Sequence, residues 1–176
     1  ILGLINFAKY SNNKKYELGA RNLCNKVLEF QQEDGRFITF KEDATHLHPH
    51  AYSIEGLLFA GWYFKDQKYI NSAVKATKWL LDSQMENGGI PSLYVNNNFI
   101  KFERADILAQ TLRLAVIFLN NNLLDKKYEK NVERLAKRLL QFQYLKEGSQ
   151  KGGFFYGDDV DYKTLQEKRT NHLNSW

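Results

Sequence analysis

"LEFQQEDGRF" (Leu28–Phe37) and "LDSQMENGGI" (Leu81–Ile90) are one motif written twice. They align without a gap, Gln31 on Gln84, Glu33 on Glu86 and Gly35 on Gly88, at an offset of 84 − 31 = 53. The same offset holds upstream, where "GLINFAKYSNNKKY" (Gly3–Tyr16) falls on "GLLFAGWYFKDQKY" (Gly56–Tyr69). Gly3, Leu4, Tyr10, Lys15 and Tyr16 there meet identical residues. A third copy follows at 128 − 69 = 59: Tyr128 opens "YEKNVERLAKRLLQFQ" and Gln143 takes the place of Gln84. A short insertion then precedes "GGFFYG" (Gly152–Gly157). Agreement at a constant offset over this length marks an internal repeat, and the repeat decides the fold.

Only two prolines and eleven glycines interrupt the chain, and its long segments carry helical spacing. Each unit reads as two helices. One, over residues 16–32, 69–85 and 128–143, has a polar face and belongs to an outer layer. The other, over 50–64 and 104–120, is apolar nearly all round, as in "IEGLLFAGWYF" and "ILAQTLRLAVIFL". Such a helix must be buried, so these form an inner layer. The chain opens on "ILGLINFAKY", like the end of an inner helix, and its last residues, "RTNHLNSW", look like the start of another. With Ile1 rather than Met in first place, the expectation is a piece of something longer. The reading is one all-α domain or fragment of about three helix hairpins, with units near 1–50, 51–105 and 106–176.

Connections from inner to outer helices are short. Those from outer to inner helices are long and are expected to be structureless, which in a compact domain marks functional loops. All of them emerge at the end of the layers that holds the N-termini of the inner helices. Function is expected there.

Composition narrows the classes. Twenty-five Lys and Arg against twenty Asp and Glu leave a net charge of +5, without a block of like charge. Nucleic acid is therefore not an expected partner. No apolar run is long enough to span a membrane. The single Cys24 rules out an intrachain disulfide and a cysteine-based zinc cage, and it fits a cytoplasmic protein.

A helix-pair repeat with exposed outer and buried inner helices resembles the (α/α) toroids. The turn "QQEDGRF" or "QMENGGI" is similar to the Q-x-x-x-G-aromatic turns of two branches of that architecture. One is the six-hairpin glycosidase-like group of carbohydrate hydrolases, uronate lyases and sugar epimerases. The other is the terpene cyclase and protein prenyltransferase group. Closed toroids have more hairpins than this chain, so the resemblance implies an incomplete toroid, finished by further repeats or a second subunit.

Candidate site residues cluster where inner helices begin. "THLHPHAYSIEG" (Thr45–Gly56) offers His46, His48, His50, Tyr52 and Glu55. The histidines alternate and Pro49 favours extended backbone before it, so all three are expected to point the same way. "KFERADILAQ" (Lys101–Gln110) offers Arg104, Asp106 and Gln110, and the last residues offer His172, Asn174 and Trp176. Glu55 with Asp106 suits the two carboxylates of glycoside hydrolysis. His48, His50 or Tyr52 with Arg104 suits proton abstraction beside a carboxylate, as in a lyase or epimerase. Arg36, Tyr94, His46, His172, Asn174 and Trp176 are candidates for saccharide binding, and Trp62 and Phe155 are further stacking candidates. Neither a metal nor an organic cofactor is expected, since no carboxylate ligand accompanies the three histidines. "YGDDVDY" (Tyr156–Tyr162), with Asp158, Asp159 and Asp161, reads as a solvated loop or helix cap. The expected function is a carbohydrate-active module that works by acid–base chemistry on a glycan or uronic-acid saccharide. Two alternatives stand beside it: a non-catalytic glycan- or protein-binding repeat, and an isoprenoid cyclase or prenyltransferase.

Overall fold

A computed structural model describes residues 1–39 and 43–157. His172, Asn174, Trp176 and the aspartates of "YGDDVDY" lie outside the described residues. Among those described, six α-helices form three hairpins. These are α1 (Leu2–Ser11) with α2 (Lys14–Glu29), α3 (Leu47–Phe64) with α4 (Gln67–Asp82), and α5 (Ala105–Asn120) with α6 (Glu129–Leu140). The sequence offset survives folding: α2 and α4 begin 67 − 14 = 53 residues apart and end at the same separation.

The tight connections repeat as well. Asn12 and Lys65 close α1 and α3 in left-handed conformation, at φ 51° and 54°. Asn13 and Asp66 then cap α2 and α4, their side chains accepting from the backbone N–H of Lys15 and Lys68. Each cap satisfies a donor that the first helical turn would leave unpaired.

Layering follows the apolar pattern. In the inner layer α3 touches both α1 and α5, while α2 lies on α1 and α3, α4 on α3 and α5, and α6 on α5. Ile54, Leu57, Leu58 and Ala60 of α3 are fully buried, as are Ile107, Leu108 and Leu114 of α5. Each large side chain removed from water in this way contributes roughly 1.5–3 kcal/mol before entropy is counted.

The outer helices end before the glutamines that sequence propensity would include in them. Gln31 and Gln84 instead fold the motif into a turn that grips the next outer helix. Gln31 Nε2 donates to Gly35 O and to Ser72 O of α4, both at 3.0 Å, and Gln31 Oε1 accepts from Ser72 Oγ at 2.6 Å. Gln84 Nε2 donates to Gly88 O (2.8 Å) and to Asn131 O of α6 (2.9 Å), and its Oε1 accepts from Asn131 Nδ2. Gly35 and Gly88 have φ of 106° and 91°. A Cβ on either would stand 2.7 Å from a backbone oxygen of that next helix, Lys75 O or Arg134 O. Glycine is thus required twice over, for its backbone angle and for the close approach.

Two expectations need correction. The second long loop is not without structure: Leu93–Val95 (β2) and Asn98–Ile100 (β3) form a hairpin, and Thr45–His46 (β1) pairs antiparallel with β2. Asn96 and Asn97, at φ 50° and 58°, make the two-residue turn that suits such a hairpin. The signal was the alternation in "LYVNNNFI", which helix-period reading passes over. The second correction concerns the histidines. Helix α3 begins at Leu47, so His48, Pro49 and His50 all lie in its first turn. Proline is tolerated there because its missing N–H would have no helical partner anyway. His48 and His50 are therefore about 200° apart around the helix and do not share a direction.

Candidate functional site

Long-loop backbone fixes where each inner helix starts. The Leu47 N–H donates to Ser92 O at 2.9 Å, and the Ala105 N–H donates to Tyr156 O at 2.8 Å. Each inner helix is thus pinned by the loop of the following unit. Thr39 Oγ1 accepts from the His46 N–H at 2.6 Å, and Arg104 bridges to Gly157. His46 and Arg104 are the N-cap residues of α3 and α5, both with extended backbone.

From these starts the two inner helices run in register, 105 − 47 = 58 residues apart. At that offset His48 corresponds to Asp106, Tyr52 to Gln110 and Glu55 to Arg113. The corresponding positions meet. His48 Nδ1 lies 3.0 Å from Asp106 Oδ2, close enough for charge pairing but not aligned as a hydrogen bond. Arg104 holds the same carboxylate with two donors, Nε to Oδ1 at 3.1 Å and Nη2 to Oδ2. Its guanidinium also stands 4.8 Å from the centre of the Tyr156 ring. The Tyr52 ring meets His48 edge-on at 4.9 Å. Farther along α3, Glu55 accepts from Arg113 Nη1 at 2.6 Å and from Gln110 Nε2 at 2.7 Å. The spacing of Tyr52, Glu55, Phe59 and Trp62 puts them on one face of α3. Tyr52 and Trp62 are exposed there, and Phe59 and Trp62 stack edge-to-face at 5.3 Å. The face is therefore polar near the helix starts and aromatic toward the other end.

Burial is the main cause that pushes the His48 pKa below its ordinary value; the Arg104 charge acts in the same direction and Asp106 opposes both. The ring is neutral near pH 7 and half-buried, a state in which it can accept a proton. His50 is different. It is fully buried, its Nδ1 accepts from the Phe37 N–H at 3.2 Å, and its Nε2 lies 3.2 Å from Ala76 O. Nε2 therefore carries the proton. Burial pushes the His50 pKa down to about 4.

The remaining expected residues are dispersed. Arg36 is buried, its guanidinium taken up by Asp34, Asp43 and Thr45 Oγ1. Tyr94 packs against Trp79 and Phe99 below that guanidinium, and its hydroxyl donates to Asn97. Phe155 is partly buried against the core. His46 is exposed at the start of α3. Arg113 and Tyr156 join the cluster although sequence reading did not single them out. For Arg113 the available signal was a lone charge in the apolar run "ILAQTLRLAVIFL". Among the described residues, no group of three or more His, Cys, Asp or Glu side chains converges to hold a metal ion. Nor is any described helix long and apolar enough to cross a membrane.

No family model matches the chain, and no curated protein matches it by sequence. Solved structures match it in fold. A cellobiose 2-epimerase from Bacillus thermoamylovorans superposes with a TM-score of 0.74 at 12% identity, over 88% of this chain and 42% of that one. A polysaccharide lyase gives 0.68 at 15% identity, over 86% and 48%. An α-amylase from Clostridium perfringens gives 0.64 at 17%, over 88% and 44%. The chain spans somewhat less than half the length of these structures. Its fold is that of a partial (α/α) toroid.

Proposed function

We propose that this chain is a carbohydrate-active module whose polar rim, at the starts of α3 and α5, binds a saccharide and works on it by acid–base chemistry. The observation that carries the reading is the His48–Asp106–Arg104 cluster. It joins a neutral imidazole, a carboxylate and a guanidinium at the polar end of the inner-layer face. Similarity in fold to an epimerase, a lyase and an amylase supports the substrate class.

In this reading His48 is the proton-transfer group. Asp106, 3.0 Å from Nδ1, favours the protonated ring once His48 has taken up a proton. Arg104 shares Asp106 and is placed to receive an anionic group, such as a uronate carboxylate. The N-termini of α3 and α5 add to the pull on negative charge. Glu55, held by Arg113 and Gln110, is the second carboxylate of the same face and the partner to test for hydrolysis. His50, saturated by backbone and fully buried, holds the fold rather than the substrate. The units near 1–50, 51–105 and 106–176 act together as one toroid segment.

A thermal-shift panel of neutral and uronic oligosaccharides tests the reading. A ligand at about 100 times its dissociation constant stabilises the fold by roughly 2.7 kcal/mol. A rise in Tm with an acidic saccharide, lost in His48→Ala and Arg104→Ala at unchanged starting Tm, is the expected result. A full response in both variants would move the binding site elsewhere. Silence across the panel would remove the saccharide reading.

A further inference from the structure

The repeat shows which side of each outer helix faces away from the molecule. Helix α4 lies between the other two. The Tyr69 hydroxyl bonds it to Asn25 of α2, and Asp82 accepts from the Tyr128 hydroxyl just before α6. What α4 still exposes points outward: Lys68, Asn71 and Lys75, with Lys78 partly covered. At 127 − 68 = 59 the same positions are Lys127, Lys130, Arg134 and Lys137, all exposed. At 68 − 15 = 53 they are Lys15, Leu18, Asn22 and Asn25, also exposed. The outward row therefore carries one cation at α2, three at α4 and four at α6.

Seven cations and no acid stand on the eight positions of α4 and α6, in a chain whose net charge is +5. Sequence order hides this concentration, because other residues separate the cations and the helix collects them on one side. Lys127 to Lys137 span about 15 Å of helix. Like charges three and four residues apart repel, so the row costs the free chain stability. The acids of α6 stand beside the row rather than in it. Glu129 and Glu133 fall at the positions of Ile70 and Val74, which are half-buried on the flank of α4. Among the described residues, Lys78 alone in the row has a carboxylate within ion-pair reach, Asp125 at 3.9 Å. Arg134 is fixed at the surface, its Nη2 donating to Met85 O at 2.8 Å and to Glu86 O at 2.9 Å.

We propose that this row on α4 and α6 is a second binding surface, which holds the carboxylates of an acidic polysaccharide chain. The row is distinct from the rim, but the choice of a saccharide polymer rests on the proposed function. Six of the seven cations are lysine, a point charge suited to single carboxylates. Arginine, which matches phosphate with two donors, is the exception here. The row has no aromatic side chain on which bases could stack and no apolar one that could enter a bilayer. Helices α4 and α6 end at the loops that lead to the rim. A polymer held along them is therefore kept near the site, and its local concentration there rises.

Calorimetric titration of the full chain with polygalacturonate at low salt tests the proposal. Lys130→Gln combined with Lys137→Gln should weaken polymer binding by about tenfold. Both side chains are exposed, so helical circular dichroism should not change. Lys14→Gln combined with Lys15→Gln removes the same charge from α2 and should weaken binding by less than about threefold. Arg104→Ala, which disables the rim, should still bind the polymer. Equal losses in the two lysine pairs, or loss of the polymer in Arg104→Ala, overturns the proposal. So does a wild type that ignores the polymer, or one that binds duplex DNA or anionic phospholipid vesicles as tightly. Short uronic oligosaccharides report on the rim. Silence with them while the polymer binds would remove the proposed function and leave the outer surface standing.

Discussion

The two intact turns are alike on the outside and differ within. Both use glutamine and glycine to grip the next outer helix. Inside, the first turn places Arg36, whose buried guanidinium draws Asp34 and Asp43 to it from half-exposed positions. Its backbone is then clipped to the inner layer by His50, which bridges the Phe37 N–H and Ala76 O. In the second turn the corresponding residues are Gly89 and, on α5, Leu108. Gly89 leaves room for a carboxylate from the loop, Glu103, which takes Asn87 Nδ2 and Arg138 Nε. One turn is fastened by a neutral ring and a buried base, the other by a buried acid. Both fastenings hold the backbone just before an inner helix starts, so both set the rim. A repeat can therefore keep its outline while its polar interior is rebuilt unit by unit.

The sharpest break in that comparison is the loss of the acid. Glu103 is 2% exposed, and its partner Arg138 is also largely buried. Glu103→Ala breaks this buried ion pair, a change that costs about 3–5 kcal/mol. It also loosens the backbone that feeds Arg104. Asp43→Ala removes a carboxylate that is more than half exposed, while Asp34 remains beside Arg36, and should cost about 1 kcal/mol or less. Urea denaturation of both variants checks the contrast. Equal losses would mean that the two turns are fastened alike.

The outline was legible in the sequence and the interior was not, for a physical reason. Gln31, Gly35, Gln84 and Gly88 serve local geometry, and local geometry repeats at a fixed offset. The matched spacing of α2 and α4 and the layering of α3 and α5 follow from it, while α2 and α4 start and end two to three residues earlier than expected. His48 and His50 differ only in which side of one helical turn they occupy. That depended on whether the helix began before or after Pro49, a shift of three residues that pattern reading does not resolve. Glu103 gave no signal, because its partners Asn87 and Arg138 come from a different turn and a different helix. Arg36 looked like a free cation for the opposite reason: its carboxylates belong to the turn and to the loop after it.

The neutral fastening of the first turn gives that turn a pH dependence. Burial holds His50 near a pKa of about 4, against about 6.5 when the chain is unfolded. Between those values the unfolded chain binds the extra proton, so stability is complete above about pH 6.5 and falls as pH drops toward 4. Over the window from about 6.5 to 5 the loss attributable to His50 is about 1.5 kcal/mol. His48 adds a smaller slope of the same sign, its own pKa also being lowered. His50→Asn should be less stable at neutral pH and should flatten this part of the profile. A wild-type profile that is level from pH 6.5 to 5 would show that His50 is not held neutral, and the first turn would need another fastening.

The smallest effects test whether the outsides of the turns are as equivalent as they look. Gln31→Ala and Gln84→Ala each remove a side chain bonded both within its turn and to the next outer helix. Each should lose about 1–2 kcal/mol, at the rate of roughly 1 kcal/mol for a net hydrogen bond. Among the described residues the Gln143 side chain keeps one bond, at 3.2 Å to Gly152 O, so Gln143→Ala should cost about 0.5 kcal/mol. A loss at Gln143 well below the other two would show that the bond to the next outer helix, which Gln31 and Gln84 make and Gln143 lacks among the described residues, is what gives the first two turns their hold. A loss as large as theirs would place all three turns in one class.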